Sequence, residues 1–150
     1  MGTILTLENV AIKYGLYTFI GLVAFFLFMK FAGLFQITEL RGLNFFIMVA
    51  GIWKALTYYK LNSRTHLSYL EGLGLGTLTG MVAVIPFAAF IMSYLLVDKQ
   101  FMAMLIEREP FGEYLNPYNV SVLIALEGIF SGAMVAFGMM QYLKKKQINA

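Results

Sequence analysis

The sequence predicts an all-α fold, a bundle of four transmembrane helices with a short interfacial helix between the third and fourth spans. Composition is the first reason: 60% of the 150 residues are hydrophobic and 13% charged, with a mean hydropathy of +0.76, far from the soluble average. The second is four apolar runs, each near the length that crosses a hydrocarbon core of about 30 Å. The third is that charged and turn-forming residues gather between the runs. The widest gap, residues 98–119, is too short for a separate folded unit, so residues 1–150 read as a single membrane domain.

The first run, residues 14–35, makes about 33 Å of helix and is interrupted by Lys30. The stretch before it is short and carries Glu8, and no small-residue cleavage pattern follows, so it reads as an uncleaved first span. The second run, residues 42–59, contains Asn44 and Lys54. It is at the short end for a span, which places Lys54 near a membrane face or snorkelling toward one. A polar, basic turn over residues 60–66 leads into the third run, residues 67–97, with Glu71 near its start and Pro86 as a candidate kink. Residues 98–119 carry Glu107, Arg108, Glu109 and Glu113, with Phe101, Met104 and Leu105 at helical spacing before Pro110. That pattern predicts a short interfacial helix and then a loop. The fourth run, residues 120–142, holds Glu127 and ends at Lys144, Lys145 and Lys146.

Threading follows from the basic residues. Of 11 Lys and Arg, Lys13, Lys54, Lys60, Arg64 and the three terminal lysines fall on one side, while Lys30, Arg41, Lys99 and Arg108 fall on the other. The excess predicts cytoplasmic N and C termini in a bacterial inner membrane. Tyrosines agree, because every one lies near a predicted helix end, at the depth amphipathic rings prefer.

The net charge of +3 is dispersed over helix ends, which points to lipid head groups as the partner and away from nucleic acid. With no cysteine and one histidine, thiolate chemistry, disulfides and multi-histidine metal sites within one chain are excluded. No phosphate-cradling glycine loop, nucleophile elbow or metalloprotease motif occurs. The expectation is therefore no catalytic residue, no cofactor and no metal.

The most specific pattern is a four-residue recurrence of small side chains. Gly72, Gly76 and Gly80 make a smooth stripe on the third helix, and Gly128, Gly132 and Ala136 make one on the fourth. In lipid, such stripes let backbones approach. The preferred reading is internal packing of the third helix against the fourth; the other is a seam with a second copy or with other membrane subunits.

Charges within spans come next, because an ionised group in mid-bilayer needs a partner, water or an interface. Matched depth predicts two intramembrane ion pairs, Lys30 with Glu127 and Lys54 with Glu71. Their bland role is to fix packing, and their functional role an ion or proton route. Glu127 is the strongest single candidate, since it neighbours Gly128 and Ser131 on the small-residue face. Trp53 reads as an interfacial anchor, His66 as a solvated turn residue, and Met139 and Met140 as apolar gap fillers. The formal glycosylation pattern at Asn119 and Ser121 lies too close to the membrane to carry weight.

Three segments resemble a bacterial membrane family, domain of unknown function 4199: Asn9 to Leu16, entering the first helix through Lys13, Tyr14 and Gly15; Ser68 to Gly76, a glycine-rich entry to the third; and Val97 to Phe101, an exit through Asp98. Lys99 departs from the family pattern, which has proline there. The resemblance covers most of the chain and implies a four-helix bacterial envelope protein with no assigned activity and no functional residues to carry over. The expected role is a noncatalytic accessory or scaffold subunit of a membrane assembly; the alternative is a small oligomeric transporter or channel whose route is lined by Glu127 and Lys30.

Overall fold

Local capping chemistry sets where the helices of this chain begin and end. The structure, a computed structural model, describes residues 5–34, 42–63 and 66–148. Among them are α1 (Leu7–Phe31), α2 (Leu43–Asn62), α3 (Tyr69–Val97), α4 (Lys99–Arg108) and α5 (Pro117–Ile148), with one 3-10 turn at Gly112–Tyr114. Phe35, the expected connection over residues 36–41, Arg64 and Thr65 of the basic turn, and the side chain of Lys146 lie outside the described residues.

α1 begins at Leu7, well before its apolar run, because the Thr6 hydroxyl accepts a hydrogen bond from the Asn9 N–H at 3.3 Å. That satisfies one of the amides a helix start leaves unpaired. α1 also stops early. Gly33 adopts φ +67°, a left-handed conformation that glycine takes without a Cβ penalty, and its N–H reaches the Lys30 carbonyl at 3.1 Å. α3 opens on a reciprocal capping box: Ser68 Oγ accepts from the Glu71 N–H at 3.2 Å, and the Glu71 carboxylate accepts from the Ser68 N–H at 3.0 Å. The helix then runs without a break through Pro86. α5 starts with Pro117 in its first turn, where the missing N–H costs nothing, while Asn116 Oδ1 accepts from the Asn119 N–H at 2.8 Å.

Three stretches are long and apolar enough to cross a membrane: Leu7–Phe31, Tyr69–Val97 and the Pro117–Lys145 portion of α5. The 29 residues of α3 extend about 44 Å. α2 has 20 residues but is diluted by Asn44, Lys54 and Lys60, and it is not among those three.

α3 is the central element, packed along both α5 and α1 and touching α2 and α4. Small side chains carry the closest contacts. A Cβ built on Gly76 would lie 2.5 Å from the Ala136 Cβ, and one on Gly80 would lie 3.3 Å from the Gly132 Cα. Gly72 packs under Met140, and Gly128 under Val84. Two glycines outside the expected stripes work the same way. A Cβ on Gly15 would meet the Val82 side chain at 2.6 Å, and Gly51 accepts the Thr18 side chain. The Thr18 hydroxyl donates to the Tyr14 carbonyl and that of Thr79 to the Leu75 carbonyl, each at 2.7 Å, so neither buried hydroxyl is left unpaired.

Two buried clusters fill the bundle. One surrounds Ile52, Leu56, Leu75, Ala136 and Met140; the other surrounds Leu22, Phe26, Phe87, Ile91 and Phe101. A matched pair of substitutions checks this packing by thermal melting in detergent. Gly76→Leu is expected to destabilise by about 2 kcal/mol or more, the usual cost of forcing atoms into a filled contact. Gly74→Ala, with nothing within 4 Å of the new Cβ, is expected to leave stability unchanged or raise it by up to about 1 kcal/mol through helix propensity.

Candidate functional site

Polar side chains inside an apolar bundle are the places where chemistry can occur, and apart from the self-satisfied Thr18 and Thr79 two groups stand out, one at the end where α1 and α3 finish and one deeper in the bundle. The first is a closed cluster. Lys30, in the last turn of α1, places Nζ 2.8 Å from Asp98 Oδ2, at the junction of α3 and α4. The Tyr94 hydroxyl donates to the same oxygen at 2.9 Å, and Asp98 Oδ1 accepts from the Phe101 N–H at 3.0 Å, capping α4. Lys30 Nζ also sits 4.3 Å from the centroid of the Tyr94 ring, in range for a cation–π contact. Phe26, Tyr94 and Phe101 meet edge to face around this group. The hydrogen bond from Lys30 holds the Asp98 carboxyl below its ordinary value of 3.8; the Phe101 N–H adds to this and partial burial opposes it.

Lys30 therefore pairs with Asp98, and the structure does not bring it to Glu127. The physical reason is depth. α1 ends one residue after Lys30, whereas Glu127 lies ten residues into α5, about 15 Å along the helix. Expecting α1 to continue to residue 35 put Lys30 too far from its end. Lys54 and Glu71 are not joined either. Glu71 is spent in the capping box, Lys54 is exposed on α2, and among the described residues no ion pair links them. α2 continues eight residues past Lys54, whereas Glu71 is in the first turn of α3, so these two are also mismatched in depth.

The second group lines a cleft of about 490 Å³ between α1, α2, α3, α4 and α5. Most of its wall is apolar, including Leu22, Phe26, Met48, Phe87 and Ile124. Its polar lining comes from Asn44 near the start of α2, Glu109, and Glu127 and Ser131 on α5. Glu127 and Ser131 are one helical turn apart on one face. Asn44 Oδ1 is buried without a hydrogen-bond donor. Asn44 appeared in the sequence only as a polar interruption of a short run; the signal available was an amide inside an apolar stretch, which needs a partner.

Of the remaining residues singled out by sequence, the two methionines serve packing. Trp53 is exposed and its ring meets that of Tyr142 at 5.9 Å. His66 is exposed. Met139 and Met140 are buried in the cluster around Ile52 and Leu75. Among the described residues, no three of His, Cys, Asp and Glu converge as metal ligands would. Comparison with family models, with curated proteins and with solved structures finds no match to this chain.

The Asp98 cluster makes a signed pH prediction. A carboxyl whose native pKa is depressed contributes stability that is complete above the unfolded value of 3.8 and is lost as pH falls through the lower native value. The melting-temperature advantage of the wild type over Asp98→Asn should be constant between about pH 7 and pH 5 and close below pH 3.8. A gap that persists at the lowest pH would assign the contribution to shape, not charge.

Proposed function

We infer that this chain is a membrane protein that threads the bilayer four times, α2 included, with α4 lying at the interface and both termini on the cytoplasmic side. Its role is that of a noncatalytic accessory or scaffold subunit in a bacterial inner-membrane assembly. The resemblance to the family of unknown function 4199 is part of this proposal. What supports the threading is the antiparallel order of the helices and the excess of lysine and arginine at one end of the bundle.

One observation carries the accessory role. α5 uses its small-residue face against α3, and its opposite face presents Val122, Leu126, Phe130, Met134 and Phe137, all at least half exposed. The apolar window of α5 is 22% buried, against 33% for α1 and 39% for α3. A helix that anchors one side of the bundle and leaves a continuous large-residue stripe on the other is suited to lateral contact with another membrane subunit. The cleft gives a competing class some support, a small oligomeric transporter with Glu127 on its route, although Lys30 is committed elsewhere.

Two experiments test the proposal. Substituted cysteines on the native cysteine-free background map the threading. Glu113→Cys should react from outside the cell with a thiol reagent that cannot cross membranes, and Ser63→Cys should react only after permeabilisation; the reverse pattern contradicts the orientation. Gly112 is unsuitable for such a probe, because its missing Cβ is the space that the Ile106 carbonyl occupies. For the role, Phe130→Ser combined with Met134→Ser should abolish co-purification with a companion subunit from native membranes while leaving the melting temperature within about 2 °C, as expected of surface substitutions. Glu127→Gln that stops ion flux in proteoliposomes and leaves co-purification intact would favour the transporter.

A further inference from the structure

The cleft brings the Glu109 and Glu127 carboxylates and the donorless Asn44 Oδ1 to a mostly apolar wall, and among the described residues no Lys or Arg lines it. Its volume of about 490 Å³ lies within the range of small-molecule sites. Aromatic rings from four helices, Phe26, Phe45, Phe87 and Phe101 among them, form much of the interior. Glu127 and Ser131 project from one turn of α5, with Asn44 contributed by α2. Among the described residues the Glu127 carboxylate makes no ion pair, and no Lys or Arg lines the cleft. Lys30, the cation at this end of α1, is engaged by Asp98.

Glu127 is exposed, and a carboxylate within a membrane span is costly until a countercharge reaches it; a buried amide oxygen without a donor, as at Asn44, carries a similar debt on a smaller scale. Both needs are met by one chemical group, a protonated amine. Its charge answers Glu127, and its several N–H bonds can be shared among acceptors.

We propose that the cleft binds a lipophilic primary amine, with the ammonium between the Glu127 carboxylate and the Ser131 hydroxyl, one N–H available to the Asn44 amide, and the hydrocarbon tail against Phe26 and Phe87. A quaternary ammonium carries the charge but no N–H. An alcohol has a donor but no charge. A phospholipid would bring a phosphate toward Glu127 with no Lys or Arg among the described lining residues to meet it. This inference is independent of the accessory role and survives if that role fails.

Calorimetric titration of the purified full-length chain in dodecyl maltoside micelles, with heats into empty micelles subtracted, tests it. Octylamine should bind saturably at one site, and octanol and octyltrimethylammonium at least about tenfold more weakly. Glu127→Gln should weaken octylamine by at least about tenfold and leave octanol unchanged. Val120→Trp, which fills the cleft from its apolar side, should remove octylamine binding, whereas Glu113→Gln, outside the cleft, should leave it intact. Melting curves establish that each variant is folded; should Glu127→Gln unfold, the wild-type ranking of the three probes and the Val120→Trp result decide. Octanol binding as tightly as octylamine, a folded Glu127→Gln retaining full amine affinity, or heats equal to those of empty micelles would each overturn the proposal.

Discussion

The structure depends on the close approach of the α3 and α5 backbones at Gly76, Gly80, Gly132 and Ala136. Between helices in lipid there is little hydrophobic force to draw them together, so association rests on the van der Waals contact that small residues permit. Once α5 is in register on α3, Gly128 comes under Val84 and Gly72 under Met140. The same junction seats α2. Ile52 reaches the space beside Gly76, Gly80 and Gly132, and Met48 lies 3.8 Å from where a Gly132 side chain would begin. α1 is then brought to α3 through Gly15 and to α2 through Gly51. The bundle is thus tied by glycine at each of its principal seams, and α3 takes part in two of them.

The two ends of the bundle are held by different chemistry. At one, Tyr69 stacks edge-on against Phe137 and accepts a hydrogen bond from Gln141 at 3.3 Å, joining the start of α3 to the end of α5. At the other, Asp98 gathers Lys30, Tyr94 and the first turn of α4 on a single carboxylate. One acid therefore closes α1 onto α3 and sets the direction in which α4 leaves. Between this cluster and the glycine junction the helices are not filled by each other, and the cleft that carries Asn44, Glu127 and Ser131 lies there. Tight packing at the junction and charge pairing at the end leave the space between them as the place where a ligand can be held.

Much of this was readable from the chain. Four apolar runs matched four long helices, and the helical spacing ahead of Pro110 matched α4. The recurrence of Gly72, Gly76, Gly80, Gly128, Gly132 and Ala136 named the residues at the α3 and α5 contact. Gly15 and Gly51 were not legible, since each is isolated and its partner is on another helix. The ion pairs failed for a related reason. Hydropathy does not see caps, and without the turn at Gly33 the end of α1 was placed too late, which shifted Lys30 to a false depth. In the sequence Asp98 stands as the first residue of the polar stretch 98–119. Its position directly after α3, level with the last turn of α1, makes it the acid that Lys30 can reach.

The central claim is that the glycine seam lies within one chain. The absence of native cysteine allows a direct measurement: oxidative cross-linking of a Gly80→Cys and Gly132→Cys double variant in membranes, followed by trypsin cleavage at the exposed Lys99 and Arg108. If the seam is internal, the α3 and α5 fragments stay together under nonreducing conditions at the mass of one chain. Fragments that separate, or that remain linked only at the mass of two chains, would contradict it.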